Sequence, residues 1–158
     1  MLYRNGENLK NNLITYLTGK SNITIFSPYI KAKTLNKLLE SKDLTCDQIV
    51  VRWEPRDIAM GSSDLEIYEI CKKNNITLFM NKRIHLKLYT NNFKDAFLGS
   101  ANISERAISE DKGNYNYEIC SYADNIDNED KLYLYKIINE STLITDELYE
   151  SIKEQSKD

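Results

Sequence analysis

The chain has 158 residues, enough for one domain of ordinary size with a substantial core and too few for two large domains. Hydrophobic residues make up 41% and charged residues 28%, a composition typical of a globular protein, which argues against intrinsic disorder. The net charge of −3 gives no overall attraction to nucleic acid, so any contact with a polyanion must be local.

The amino-terminal residues lack the apolar stretch of a signal peptide, and no apolar run approaches the length that spans a bilayer. We therefore expect a cytoplasmic protein with no membrane association. The three cysteines, Cys46, Cys71 and Cys120, are odd in number and lack CxxC spacing. This pattern favours buried, reduced thiols over a disulfide framework or a zinc site.

The first half of the chain is predicted to alternate helices and strands. Residues 7–18 place Leu9, Leu13 and Leu17 at helical spacing, and Gly19 supplies a stop. Then follow a strand at Ile23–Tyr29, a helix at Lys33–Ser41, a strand at Gln48–Trp53, a loop at Asp57–Ser63 and a helix at Asp64–Asn74.

The second half begins with adjacent strands and ends with helices. Its predicted elements are strands at Ile76–Met80, His85–Tyr89 and Asp95–Leu98, a short helix at Ile103–Ser109, a strand at Tyr115–Tyr122, and helices at Lys131–Leu143 and Asp146–Glu154. This order predicts a single α/β domain over residues 1–158, with a mixed, mostly parallel β-sheet flanked by helices on both faces.

Acidic residues are concentrated at the carboxyl end. Residues 123–158 contain ten acidic residues and four lysines, a net charge of −6, which leaves +3 on residues 1–122. We interpret this acidic segment as the solvated face of the two C-terminal helices, with a regulatory acidic tail as the alternative.

Polar side chains that can take part in catalysis recur in the predicted central strands. In a strand, His85 and Lys87 point to one face, while Ile84, Leu86 and Leu88 point into the core on the other. After Gly99, Ser100 and Asn102 repeat the same two-residue spacing. The sequence thus predicts a group of polar side chains on one side of the sheet.

These residues suit phosphodiester cleavage without a metal ion or cofactor. An imidazole can attack phosphorus, a second, protonated imidazole can protonate the leaving oxygen, and Lys and Asn side chains can neutralise and orient the phosphoryl group. His85, Lys87, Ser100 and Asn102 fit these roles. Glu118, on a strand among apolar neighbours, is the candidate carboxylate that fixes the tautomer of His85.

The pattern His85-x-Lys87, then Gly99-Ser100-x-Asn102, then Glu118 resembles the signature of the phospholipase D superfamily, and most resembles its small bacterial nuclease and restriction-endonuclease-like branch. Three weaker upstream matches extend the resemblance over roughly residues 20–122: Ser27-Pro28-Tyr29-Ile30, Arg52-Trp53 and Gly61 to Leu65. The resemblance implies a phospholipase D-like fold. It also implies that His85 is the nucleophile that forms a phosphohistidine, or the general acid, and that Lys87 and Asn102 hold the phosphate.

By the same resemblance, Ser100 assists and Glu118 orients the imidazole. The family motif has an Asp five residues after the Lys, and this chain has Asn92 there. Asp95 is three residues late, so we expect it to have another role.

The resemblance also implies two copies of the His-x-Lys motif at each active site. His85 is the only histidine in the sequence, so the second imidazole must come from another chain. We therefore expect a homodimer with twofold symmetry and a composite site.

A local excess of positive charge surrounds the motif. Lys82, Arg83, Lys87 and Lys94 lie within thirteen residues, opposed there only by Asp95. They are either solvated loop residues or a basic surface for a DNA backbone, with Lys82, Arg83 and Lys94 as the substrate-binding candidates. Arg56 and Asp57 are expected either to form a loop ion pair or to approach the substrate.

These observations favour a metal-independent endonuclease that cleaves DNA in preference to RNA, in a restriction or defence setting. Two alternatives remain open: a phospholipid or other phosphodiester hydrolase of the same superfamily, and a non-catalytic dimeric nucleic-acid-binding module with a decayed site.

Overall fold

The computed structural model describes residues 1–40, 43–110 and 113–157. The predicted helix end at Ser41 and the last acidic residue, Asp158, lie outside this part of the chain. The elements in chain order are β1 (Leu2–Arg4), α1 (Leu9–Leu17), β2 (Ile23–Phe26), α2 (Ala32–Leu39), β3 (Cys46–Val51), α3 (Pro55–Ala59), α4 (Ile67–Lys73), β4 (Thr77–Met80), β5 (Leu88–Asn91), β6 (Asp95–Gly99), β7 (Ile119–Ala123), α5 (Asn128–Asn139), β8 (Thr142–Leu143) and α6 (Asp146–Gln155).

The described strands form one eight-stranded sheet in the order β1-β7-β6-β5-β2-β3-β4-β8. Only the pairings β2–β3 and β3–β4 are parallel, and the other five are antiparallel. The sheet is mixed, as predicted, but the expectation that it is mostly parallel was wrong. The reason is that helices connect β2 to β3 and β3 to β4, whereas β5, β6 and β7 follow β4 without an intervening helix and pair antiparallel with their neighbours.

Helices cover both faces of the sheet, as the sequence predicts. The first face packs against α1, α2, α4 and α6 through a cluster of buried apolar side chains that includes Ile25, Ile49, Leu78, Phe97, Leu13, Leu35, Ile67 and Ile152. The second face packs against α5 through Phe26, Val50, Leu88, Ala96 and Leu134. Neighbouring residues of β2 and β3 belong to opposite clusters, the alternation expected of a strand buried on both faces.

Both C-terminal helices are therefore part of the packed structure. Leu134 of α5 and Ile152 of α6 are each 4% exposed. Asp127 and Thr145 cap the two helices by accepting hydrogen bonds from Asp130 N and Leu148 N, at 2.9 and 3.1 Å. The acidic side chains of this segment lie mostly on exposed positions, in agreement with a solvated helical face.

Several element boundaries differ from the sequence prediction. The expected helix at Ile103–Ser109 is absent, because Ile103 pairs with Ile30 as an extended bridge residue and the residues after it form turns. The helix α3 occupies part of the expected loop, where Glu54 and Asp57 form a reciprocal capping box. The short edge strands β1 and β8 were not predicted.

The three cysteines are free and buried, as expected. Among the described residues, no helix is long and apolar enough to cross a membrane.

Candidate active site

The candidate catalytic residues lie at one edge of the sheet. The strands β2, β3 and β6 end at this edge, and β5 and β7 begin there. The register shows this arrangement: Phe26 pairs with both Val50 and Leu88, Leu88 pairs with Leu98, and Gly99 pairs with Cys120. His85 and Lys87 precede β5, Ser100 and Asn102 follow β6, and Glu118 precedes β7. The five predicted catalytic residues therefore all lie at this edge of the sheet.

His85 and Lys87 occupy an extended segment just before β5 rather than the strand itself, which begins at Leu88. Gly99 N donates to Lys87 O at 3.2 Å, which continues the pairing of β5 with β6 by one residue. Ile84, Leu86 and Leu88 all contact the second apolar cluster, as the alternation predicts. His85 is exposed and Lys87 half-buried, so both side chains remain accessible to a ligand.

Gly99 allows β6 and β7 to approach each other closely beside the site. A Cβ atom at Gly99 would lie 2.2 Å from Ile119 O and 2.5 Å from Cys120 Cα, far inside van der Waals contact with backbone atoms. Immediately beyond it, Ser100 N donates to Ile119 O at 3.0 Å. The close pairing of the two strands fixes Ser100 against the residues that start β7.

Ser100 and Glu118 form a hydrogen-bonded pair. Ser100 Oγ donates to Glu118 Oε1 at 2.6 Å and accepts from Ile119 N at 3.0 Å. Glu118 Oε2 accepts from Asn116 Nδ2 at 3.2 Å. The described partners of this carboxylate are Ser100 and Asn116, because the β6–β7 register places Ser100 directly beside it. The contact of Glu118 with the imidazole of His85 stays a prediction.

Asn102 is held by a backbone pairing with the segment after β2. Ile103 N donates to Tyr29 O at 3.3 Å, and Lys31 N donates to Ile103 O at 2.8 Å. Asn102 Oδ1 is buried and has no hydrogen-bond partner among the described residues. A buried acceptor without a partner is uncommon, and this oxygen can be satisfied only by a group that donates a proton, while the Nδ2 group of the same side chain is a donor.

An ion pair between Arg52 and Asp57, which was not predicted from the sequence, lies next to this edge of the sheet. The guanidinium of Arg52 donates to Asp57 Oδ1 at 2.6 Å and to Asp57 Oδ2 at 3.0 Å, and it donates to Tyr29 Oη at 2.7 Å. It also lies over the Tyr29 ring, 4.8 Å from the centroid. The hydrogen bonds to Asp57 raise the pKa of Arg52 above its ordinary value. Asp57 therefore pairs with Arg52 and not with Arg56.

The turn that returns Asp57 to Arg52 is strained and firmly held. Trp53 has φ of 49°, unfavourable for a bulky residue, but it is fully buried and donates from Nε1 to Asp64 O at 3.1 Å. The sequence signal that could have identified the pair is the combination of opposite charges five residues apart with Pro55 at a helix start between them.

Of the three predicted substrate-binding residues, Lys82 and Arg83 lie near His85 and Lys94 does not. Lys82 and Arg83 lie in the turn that leads to His85, where Arg83 is 88% exposed and 4.0 Å from Glu140. Lys94 lies in the β5–β6 turn at the opposite edge of the sheet. Four residues of strand carry the chain about 13 Å away from the site, so closeness in sequence gave a wrong expectation for Lys94.

The family Asp position also lies at that opposite edge. Asn92 and Phe93 have φ of 55° and 54°, and Lys94 N donates to Asn91 O at 3.1 Å, which together form a tight hairpin turn. Asp95 accepts hydrogen bonds from Tyr16 Oη at 2.7 Å and Tyr122 Oη at 2.9 Å. Asp95 thus has the separate, structural role that we expected.

Comparison with known proteins gives structural matches at low sequence identity. NucT from Helicobacter pylori matches 91% of this chain and 100% of its own, with a TM-score of 0.66 and 18% identity. Nuc from Salmonella typhimurium, described as a phospholipase D family member, matches 91% of this chain and 96% of its own, with a TM-score of 0.65 and 14% identity.

A longer protein shares the same architecture. Phosphatidylserine synthase from Haemophilus influenzae matches 94% of this chain but 41% of its own, with a TM-score of 0.62 and 15% identity. No family model and no curated protein matches the sequence. The chain has the phospholipase D fold, which confirms the fold that the resemblance of its His-x-Lys and Gly-Ser-x-Asn motifs implies.

Proposed function

We propose that this chain is a phosphodiesterase that cleaves DNA without a metal ion, through a phosphohistidine formed on His85. One observation carries the proposal. The exposed His85 shares a sheet edge with the half-buried Lys87 and with Asn102, in a chain with the phospholipase D fold.

The reaction uses two steps with the same groups. A ring nitrogen of His85 attacks phosphorus, the bond from phosphorus to the leaving oxygen breaks, and a second imidazolium gives its proton to that oxygen. Water then attacks the phosphohistidine, gives a proton to the second imidazole, and the nitrogen–phosphorus bond breaks. Lys87 and the amide N–H of Asn102 donate to the nonbridging oxygens in both steps.

Ser100 and Glu118 are positioning residues in this proposal. Because Ser100 Oγ donates its hydrogen bond to Glu118 Oε1 at 2.6 Å, this hydroxyl is committed to holding the carboxylate. The carboxylate in turn has lone pairs left to accept from an imidazole N–H. Through it, the pair would favour the tautomer in which the other ring nitrogen of His85 is free to attack.

The second imidazole comes from a second copy of the chain. His85 is the only histidine and is exposed, so a twofold-related copy can bring its own His85 to the same phosphate. The homodimer is therefore part of the proposal, and each composite site needs both histidines.

DNA is the preferred substrate class because the resemblance points to the nuclease branch and because exposed Lys82 and Arg83 precede His85 in the same loop. The similarity to phosphatidylserine synthase favours one alternative, a phospholipid as the phosphodiester. The restriction or defence setting stays a prediction from the resemblance.

The first test uses purified protein with labelled DNA, labelled RNA and phosphatidylcholine vesicles in excess EDTA. We expect DNA to be cleaved and a phosphorylated protein to be trapped by acid quenching. Cleavage that disappears in EDTA and returns with magnesium or manganese would reject the mechanism, and hydrolysis of the lipid alone would reject DNA as substrate.

The second test uses differently tagged wild-type and His85→Ala chains, co-expressed and separated into the three dimers. Random pairing at equal levels gives about one quarter wild-type homodimer. A composite site predicts an almost inactive heterodimer, because only one histidine remains at the shared phosphate. A heterodimer with half the activity, or a monomer that still cuts, contradicts it.

A further inference from the structure

A surface cavity lies next to Glu118 of the candidate active site. It has a volume of about 490 Å³, and its lining includes Arg4, Glu7, Tyr115, Tyr117, Glu118 and Ile119. This volume falls in the range of small-ligand sites. Glu118 belongs to both places, since its carboxylate holds Ser100 while its side chain lines the cavity. A ligand in this cavity would therefore contact the Ser100–Glu118 pair of the candidate active site from its other side.

Two tyrosines form one wall of this cavity. Tyr117 is 95% exposed, an unusual position for a large aromatic side chain next to a catalytic candidate. Tyr115 meets it edge-on, with ring centroids 5.9 Å apart and an interplanar angle of 78°. Tyr115 is itself fixed against Gly6, where a Cβ atom would lie 2.7 Å from the ring. One ring is thus anchored on backbone, and the other presents a free face.

The segment that carries the tyrosines is tied to the sheet. The buried Asn5 donates from Nδ2 to Arg106 O at 2.7 Å and to Asn116 O at 2.8 Å. Asn116, which lies between the two tyrosines, donates to Glu118 Oε2 at 3.2 Å. A side chain in this segment is therefore presented in a fixed place relative to the candidate active site.

The charges around the cavity do not favour an anionic ligand. Arg4 is paired with Glu7 at 3.2 Å, and Glu118 adds a negative charge, so the described lining disfavours a phosphate. An exposed tyrosine ring, by contrast, is a suitable surface for stacking a nucleobase. The carboxylates at its rim can accept hydrogen bonds from the amino groups of a base.

We propose that Tyr117 stacks on an unpaired nucleobase next to the phosphodiester bound at the active site, so that the substrate is a single-stranded stretch of nucleic acid. A base inside a duplex stacks on its neighbours and cannot also cover this ring. The inference rests on the proposed function, which supplies the nucleic acid, and adds the requirement for an unpaired base.

The test measures the affinity of the full chain for a short, fluorescently labelled single-stranded DNA by anisotropy in EDTA, with cleavage followed in parallel. His85→Ala serves as the background for binding, so that the strand stays intact. Adding Tyr117→Ala should weaken binding about tenfold, whereas Tyr117→Phe should retain it, since stacking needs the ring and not the hydroxyl. A strand with abasic positions around the cut should bind the parent protein as weakly as Tyr117→Ala.

Tyr135→Ala is the matched control, because Tyr135 is 44% exposed and its ring contacts Phe93, at a tilt of 37°, at the opposite edge of the sheet. It should leave the affinity unchanged. Equal affinity of Tyr117→Ala and its parent overturns the subsite, and so does conversion of the dimer to a monomer by Tyr117→Ala in sedimentation. A wild-type chain that binds through Tyr117 but cuts no DNA rejects the proposed function and retains the subsite.

Discussion

Neutralising Asp57 is expected to destabilise the fold, because it breaks the ion pair with Arg52 next to the candidate active site. The Asp57 side chain is 4% exposed and accepts from Arg52 Nη2 at 2.6 Å, Arg52 Nε at 3.0 Å and Glu54 N at 3.0 Å. In Asp57→Asn, the carboxamide keeps the size of the side chain but turns an N–H donor toward other donors. The guanidinium then loses its counter-charge in a place where water reaches it poorly.

The size of the effect follows from the burial of both partners. Removing one partner of a buried ion pair costs about 3–5 kcal/mol. Arg52 keeps 24% of its side chain exposed and has Glu54 at 3.6 Å as a second carboxylate, so the lower end applies, about 3 kcal/mol. For a chain of this length, 1 kcal/mol shifts the melting temperature by roughly 2–4 °C. Asp57→Asn should therefore melt about 6–12 °C below the wild type.

Thermal and urea unfolding followed by circular dichroism measure this effect, with two further variants for calibration. Glu154→Gln removes an exposed ion pair with Lys157 and should change stability by less than about 0.5 kcal/mol. Tyr29→Phe removes only the hydrogen bond to Arg52 and should cost about 1 kcal/mol. If Asp57→Asn loses less than 1 kcal/mol by the same measurements, the pair does not stabilise the edge and the reasoning is wrong.

Two further predictions concern the phosphate-binding candidates Lys87 and Asn102 and the buried thiols. Lys87→Ala and Asn102→Ala should each lower the rate of single-turnover cleavage by a factor on the order of 10²–10³ and keep near-native melting temperatures, since such donors are worth about 3–4 kcal/mol each. The control variant Asn92→Gly should cleave at the wild-type rate. Near-wild-type rates in both alanine variants would contradict the assignment of Lys87 and Asn102 to phosphate binding. Burial raises the pKa of Cys71 to about 12 and also raises the pKa of Cys120, whereas an unfolded thiol titrates near 8.5. Unfolding thus releases these protons above pH about 8.5, so the free energy of unfolding should fall between pH 8 and 10 in urea titrations, and less so in Cys71→Ala.

The sequence predicted those parts of the fold that depend on local pattern. The alternation of Ile84, Leu86 and Leu88 against His85 and Lys87 was enough to assign their faces, because the side-chain period of extended backbone survives beyond the strand itself. The strand directions were harder. A run such as Tyr115–Tyr122 alternates in the same way whether its neighbour is parallel or antiparallel, and the connection, not the pattern, decides the direction.

Contacts between distant segments could not be predicted in the same way. Glu118 was expected to reach His85, but which residue lies beside it depends on the register of β6 against β7, and Gly99 opposite Cys120 sets that register. The edge strand β1 has only three residues, too few for any periodicity, and forms because β7 offers it unpaired backbone. The Arg52–Asp57 pair likewise depends on a strained turn at Trp53 that no local preference favours.

Asn92 lies in the β5–β6 turn, away from the candidate catalytic residues, so we expect it to affect folding and not the reaction. Asn is one of the few residues other than glycine that readily takes positive φ, and position 92 opens a turn in which two successive residues require it. Phe93 meets the same requirement at a greater steric cost, which is offset by its burial against Tyr135. Because β5 lies between this turn and His85, the replacement of the family Asp acts on the hairpin, and the groups that would contact phosphate all lie at the other end of the strand.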